Sequence, residues 1–325
     1  MKFGIDRLLS EPGLRTPLEG KRVALVAHPA SVTRNLEHSL DALIAAGVNV
    51  SSAFGPQHGL KGDKQDNMVE TDHVRHPVFD VPIYSLYGET REPTGAMLSG
   101  LDLLVIDLQD VGTRVYTYIH TMTNCLRACA AHGVPVVVCD RPNPVGGVGV
   151  EGAVLQPGFE SFVGLFPIPL RHGLTIGELA RLCNETFGLH ATLEVLPLEG
   201  WRREMFQDDT GLPWVLPSPN LPTLDSAIVY PGMVLLEGTN LSEGRGTTRD
   251  AIHELAQGRV WTGRQAKERG LVDELGGLSR AIALAKEHVG IDPDEEVELG
   301  VYPRPKSLFE LLNEGFTVTQ AAAQL

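Results

Sequence analysis

Three polar segments hold most of the residues able to do chemistry, and each follows a short apolar run. The first, FGPQHGLKGDKQDN from Phe54, opens with Gly and Pro and then presents Gln57, His58, Lys61, Asp63, Lys64, Gln65, Asp66 and Asn67. A polar cluster this dense after a buried strand suits a ligand loop; a solvated surface loop is the plainer alternative. The second, IDLQDVGTRVYTYIHT, places Asp107 and Asp110 at a strand terminus, with Arg114, Tyr116, Tyr118 and His120 beyond. Carboxylates at the desolvated edge of a sheet are candidates for acid–base work, because burial raises their pKa. Tyr116 and Tyr118 alternate onto one face and are suited to stack on a sugar ring. The same residues also fit a structural Asp–Arg pair with packing tyrosines. The third segment, CDRPNPVGG, sets Asp140, Arg141 and Asn143 at another strand end. The planar guanidinium of Arg141 suits a carboxylate ligand, whereas Asp140 suits anchoring a turn.

Outlying residues extend this set. Arg171 and His172 stand just before a capped helix, where an anionic ligand is favoured; a packing histidine is the alternative. SPNLPT contributes Asn220, and EGTNLSEGRGTT contributes Glu237, Glu243 and Arg245. The implied chemistry combines carboxylate, histidine and arginine and calls for no cofactor. VGGVGVEG near Val145 lacks the strand and helix context of a dinucleotide loop, and no Walker loop, H-E-x-x-H, G-x-S-x-G or paired CxxC motif occurs. No metal site is expected.

Apolar strands separated by helical patterns must carry these loops. Strands are expected at 22–27, 48–54, 81–85, 101–106, 134–139 and 193–197, and helices at 36–46, 117–132 and 175–187. Thr175 and Glu178 form a capping box on the last of these. Strands apolar throughout imply a parallel sheet covered on both faces, an α/β, Rossmann-like doubly wound arrangement. Ligands sit beyond the carboxyl ends of such strands, where all three polar segments fall. Residues 207–232 read as Pro-rich and irregular. After Arg249 the texture changes to a charged, regular helical tail, with no linker between.

Composition narrows the partners. Of 325 residues, 42% are apolar, enough for a normal core, and the net charge is −14. That charge argues against nucleic-acid and anionic-lipid binding. No run is long and apolar enough to span a membrane, and the N-terminus lacks a signal-peptide pattern, so the expectation is a cytoplasmic protein. Cys125, Cys129, Cys139 and Cys183 are expected as buried reduced thiols.

Ten ordered motifs connect residues 21 to 249 to a known family: VALVAHPASVT, FGPQHGLKGDKQDN, SLYG, DLQDVGTRVYTYIHT, DRPNPVGG, EG at Glu151, RHGLTIGELA, SPNLPT, YPG and EGTNLSEGRGTT. This stretch resembles the exo-β-N-acetylmuramidases, long known as a domain of unknown function. The resemblance implies release of N-acetylmuramic acid from the non-reducing ends of peptidoglycan fragments, at a site in a Rossmann-like domain covered by a smaller second domain. Many relatives read Pro-Glu-His-Gly in the first loop, and that Glu is the favoured acid. Gln57 stands there in this chain and cannot transfer a proton, whereas His58 keeps its place. Asp63, Asp110, Glu237 or Glu243 must then supply the carboxyl chemistry, or the activity differs. Arg141 or Arg171 would receive the lactyl carboxylate.

The tail departs from that family. IHELAQGRVWTGRQAKERGLVDELGGLSRAIALAKE is similar to the closing pattern of the signal-peptide peptidase family of serine proteases, without that family's upstream serine and lysine. The reading is thus a gene fusion: a Rossmann-like catalytic domain over 1–165, an incomplete remainder over 166–249, and a peptidase-like tail over 250–325. Weak or absent hydrolase activity is expected from the missing cover. The alternatives are a catalytically silent muramic-acid-binding module, a serine protease named from the tail, and a dinucleotide enzyme. No oligomeric state follows from the sequence.

Overall fold

The computed structural model of the chain describes residues 1–57, 59–60, 73–235, 246, 248–256, 263–276, 278–292 and 295–297. Contacts divide the chain into two units, Met1–Val260 and Trp261–Leu325. In the first, the described strands are β1 (Val23–Val26), β2 (Val50–Gly55), β3 (Val74–Arg75), β4 (Pro82–Ser85), β5 (Leu103–Ile106), β6 (Val136–Cys139) and β7 (Leu193–Leu196). They form one sheet in the order β3-β4-β2-β1-β5-β6-β7. Every neighbouring pair is parallel except the antiparallel β3 and β4. The doubly wound α/β expectation therefore holds.

Side chains alternate across this sheet and build a core on each face. Ala24, Val26, Leu104, Ile106 and Val138 point into one core. It is completed by α5 (Tyr118–His132) and α6 (Ile176–Glu185). Val23, Leu25, Val105, Val137 and Cys139 point into the other. That face is covered by α1 (Gly4–Ser10) and α3 (Ser39–Ala45), with the short α2 (Pro12–Arg15) following α1. The strands read as unbroken apolar runs because both faces are buried. Ile5 and Leu8 of α1 are fully buried, each contributing about 2 kcal/mol.

Helix boundaries follow their caps. Thr175 accepts from Glu178 N at 3.2 Å while Glu178 Oε2 accepts from Thr175 N at 3.0 Å, the expected capping box. Gly133, left-handed at φ 67°, closes α5. The short α4 (Gly95–Leu98) is capped by Thr94. The helix expected over 36–46 starts later. Leu36 sits at φ 66°, and His38 caps α3 by accepting from Leu40 N.

Several elements were not expected from the sequence, among them the short β3, α2 and α4. Helix α1 was not expected; its close approach to the sheet requires Gly4, where a Cβ would lie 2.4 Å from Asp140 N and 2.6 Å from Leu196 O. Residues 207–232, expected to be irregular, include α7 (Leu224–Met233), which carries Pro231 and is capped by Thr223 accepting from Ser226 N. Further on, α8 (Arg249–Ala256) ends the described part of the first unit. The second unit contains α9 (Gly263–Glu268) and α10 (Leu278–Val289), with Gly270 at φ 69° in the turn between them. Among its described residues Ala266 alone is buried. All four cysteines are buried and free. Burial pushes the Cys129 and Cys183 thiols up to about 12, so neither is a ready nucleophile. Among the described residues no helix is long and apolar enough to cross a membrane.

Candidate functional site

The strand order reverses between β1 and β5, so the crevice at their carboxyl ends is where a doubly wound sheet binds ligands. The loops after β1, β2, β5 and β6 meet there. His28 lies two residues past β1, Gln57 two past β2, Asp107 directly after β5 and Asp140 directly after β6. The sheet thus gathers residues from four distant stretches at one edge.

Some of them hold the edge together. Asp107 is fully buried, and Arg141 donates to it through Nε at 2.6 Å and Nη2 at 2.8 Å. Nη2 also donates to Val32 O at 2.7 Å, and the guanidinium covers the Phe3 ring at 4.6 Å. Ser39 Oγ donates to the second Asp107 oxygen. Arg141 was expected to receive a ligand carboxylate; its bidentate face is instead closed onto Asp107. The structural Asp–Arg pair exists, but with Arg141 rather than Arg114 as partner.

Asp140 anchors the turn. Its carboxylate accepts from Gly177 N at 2.8 Å, Arg141 N at 3.0 Å and Thr175 Oγ1 at 3.2 Å, tying β6 to the head of α6. Desolvation raises its pKa to about 6, outweighing those hydrogen bonds. Asn143, also buried, donates to Leu174 O and accepts from Val145 N. It braces the loop instead of facing outward.

Asp110 and His172 form a second buried pair. Asp110 Oδ2 accepts from Gly112 N at 2.7 Å and stands 3.1 Å from His172 Nε2. His172 Nδ1 accepts from Leu174 N at 3.1 Å, which leaves the ring proton on Nε2, facing the carboxylate. That close contact lacks hydrogen-bond alignment, and Asp110 Oδ1 has no hydrogen-bond partner among the described residues. His120, on the first turn of α5, meets Arg114 O at 2.9 Å through Nε2, and burial lowers its pKa to about 4.

Gln57 is held from the head of α5. Thr117 Oγ1 donates to its side-chain Oε1 at 2.9 Å, and the Tyr118 hydroxyl donates to its main-chain oxygen at 3.2 Å. The Tyr116 hydroxyl donates to Pro217 O at 2.7 Å. The two tyrosine rings lie 4.5 Å apart, and His28 meets Tyr118 edge-on at 4.7 Å. Both rings are buried, so the expected sugar-stacking face is turned into packing. Burial raises both phenol pKa values, and the nearby Asp110 carboxylate adds a smaller upward push on Tyr116.

Two arginines expected at the ligand instead fasten the loop between residues 145 and 171. Arg114 Nη1 donates to Ala153 O at 2.8 Å and Ile168 O at 2.6 Å. Arg171 pairs with Glu151 at 3.1 Å and donates to Val145 O at 2.5 Å. Asn220 is half-buried, its N–H on Ser218 Oγ at 3.3 Å. His58, Asp63, Glu237 and Glu243 lie outside the described residues. The structure therefore brings Gln57, Asp110, Tyr116, Tyr118 and His172 to one edge. It assigns Arg114, Arg141, Asn143 and Arg171 to the framework. His28 and Thr117 were not singled out in the sequence. A histidine just past the strand at the sheet's reversal point was the available signal for His28.

A doubly wound α/β protein with a carboxylate–histidine pair and a clamped glutamine at the reversal point is the class these features define. Comparison with known proteins agrees on the α/β fold, and the chain belongs to the family described as exo-beta-N-acetylmuramidase NamZ, N-terminal, which matches residues 23–225. It is 50% identical over 250 residues to the peptidoglycan beta-N-acetylmuramidase NamZ of Bacillus subtilis, covering 77% of this chain and 60% of that protein. The chain thus spans about three-fifths of that relative's length. A crystal structure of a DUF1343 family protein from Bacteroides fragilis superposes with a TM-score of 0.69 at 40% identity, covering 76% of this chain and 63% of the other. A second such protein from the same organism gives 0.63 at 33% identity, covering 76% and 64%. Residues 239–292 match peptidase family S49. That region is similar to the chloroplastic serine protease SPPA of Arabidopsis thaliana, 52% identical over 58 residues, which are 18% of this chain and 9% of that protein.

Proposed function

We propose that residues 1–249 form the saccharide-binding and catalytic part of a glycosidase that releases N-acetylmuramic acid from the non-reducing ends of peptidoglycan fragments. The observation carrying this reading is the 50% identity over 250 residues with the Bacillus relative, together with the family match over residues 23–225, which span β1 to β7. Hydrolysis of a glycosidic bond calls for two carboxyl groups. Asp110 is one candidate, with one oxygen held by Gly112 N and the other without a partner among the described residues. Gln57 is a neutral amide and transfers no proton. Turnover in this chain is therefore expected to be weak.

A second reading, a silent binding module for muramic acid, is favoured by the same glutamine. One experiment separates the two. The chain and its Gln57→Glu variant are incubated with a chromogenic N-acetylmuramide, and binding of N-acetylmuramic acid is followed by calorimetry. Slow turnover that rises at least tenfold with Gln57→Glu supports the hydrolase. Binding without turnover in either protein supports the silent module. Neither binding nor turnover removes both.

A further inference from the structure

Position 57 meets two consecutive residues of one helix head. Thr117 Oγ1 donates to the Gln57 side-chain oxygen at 2.9 Å, and the single Tyr118 hydroxyl proton is shared between the Gln57 main-chain oxygen at 3.2 Å and Pro217 O at 3.3 Å. Thr117 is buried and Tyr118 is 1% exposed, so neither side chain is free to swing away. Both belong to the start of a fifteen-residue helix. The first-turn N–H groups lack intrahelical acceptors, and the dipole is positive at that end. An acceptor oxygen facing the helix is thereby favoured over an amide N–H. The Gln57 oxygen turns inward, and its Nε2 has no protein partner among the described residues. The residue itself is half-buried, so the amide nitrogen is the atom left for a ligand.

We propose that Thr117 and Tyr118 are positioning residues that fix Gln57 as a hydrogen-bond donor to an acceptor oxygen of the bound amino-sugar acid. The proposal rests on the reading of the site as a muramic-acid site and assigns a new role within it. A residue that elsewhere in the family would move a proton here selects a ligand. The arginines cannot take over that task, because Arg141 is closed onto Asp107 and Arg171 onto Glu151 and Val145 O. Two ligand groups have the required chemistry, the carboxylate and the acetamido carbonyl, and three probes distinguish them. N-acetylmuramic acid has both groups, N-acetylglucosamine lacks the carboxylate, and muramic acid lacks the acetyl group.

The test uses the full chain with Thr117→Val, Thr117→Ser and Tyr118→Phe. Calorimetry with the three sugars is expected to show about a tenfold loss of affinity in Thr117→Val, the worth of one well-oriented hydrogen bond. Thr117→Ser restores it. The loss is confined to sugars carrying the group that Gln57 contacts. A second readout is independent of any ligand. In nitrogen-15-labelled protein, the Gln57 side-chain amide pair is identified by its disappearance in Gln57→Glu. It moves in Thr117→Val, returns in Thr117→Ser, and shifts in Tyr118→Phe. If no sugar binds the parent protein, the muramic-acid reading fails while the amide signal still decides the clamp. Unchanged amide signals in Thr117→Val overturn the clamp. Unchanged affinity in a folded Thr117→Val protein overturns the assigned role.

Discussion

Replacing Arg141 by Met tests whether this arginine belongs to the framework or to the ligand. The substitution leaves Asp107 fully buried, with the Ser39 hydroxyl and no cation. It also removes the donor to Val32 O and the cover of Phe3. Stripping one partner from a buried ion pair costs about 3–5 kcal/mol, because the remaining charge stays desolvated. With a urea slope of about 3 kcal/mol per molar for a unit of this size, the midpoint falls by about 1 M or more. Asp107→Leu alone carries a comparable cost from the stranded guanidinium. The double variant Asp107→Leu/Arg141→Met removes both charges and is expected to recover much of the loss. Urea titrations followed by far-ultraviolet circular dichroism measure all four proteins. A loss below about 1 kcal/mol in Arg141→Met, or strict additivity in the double variant, refutes the assignment of the pair as a buried strut.

Other predictions concern pH, packing and caps. Asp140, raised to about 6 in the folded chain, keeps its proton where the unfolded carboxyl has lost it, so the native state binds more protons between about 4 and 6. Stability from this group falls as pH rises through that window, by about 3 kcal/mol. His120, lowered to about 4, acts oppositely: the unfolded ring takes a proton near 6.5 first, so stability falls as pH drops from about 6.5 to 4, again by about 3 kcal/mol. The two slopes nearly cancel in the parent; urea midpoints against pH are expected to tilt downward with rising pH in His120→Phe and upward in Asp140→Asn. Gly4→Ala, which forces a methyl against Asp140 N and Leu196 O, is expected to lose at least 2 kcal/mol in urea titration because backbone cannot yield as a side chain does. Thr175→Ala breaks both the capping box and the bond to Asp140, and a loss of about 1–2 kcal/mol is expected in thermal unfolding.

The sequence by itself determined the sheet. Val23–Val26, Leu103–Ile106 and Val136–Cys139 are apolar on both sides, which only a strand covered by helices on each face permits. It also fixed the capping box at Thr175, because that signal is local. The short α1 and the proline-bearing α7 were not legible, since α1 depends on a backbone approach that needs Gly4, and α7 carries Pro231 inside it, a residue that reads as a helix breaker. Which polar residue meets which was decided only in three dimensions. Asp107 and Arg141 are 34 positions apart and Gln57 and Thr117 are 60 apart, and side-chain type alone gives each several plausible partners. Burial then sorted them. Sealed from water, an arginine must close onto the nearest carboxylate, and the phenols of Tyr116 and Tyr118 must find carbonyls, whatever ligand their chemistry would otherwise suit.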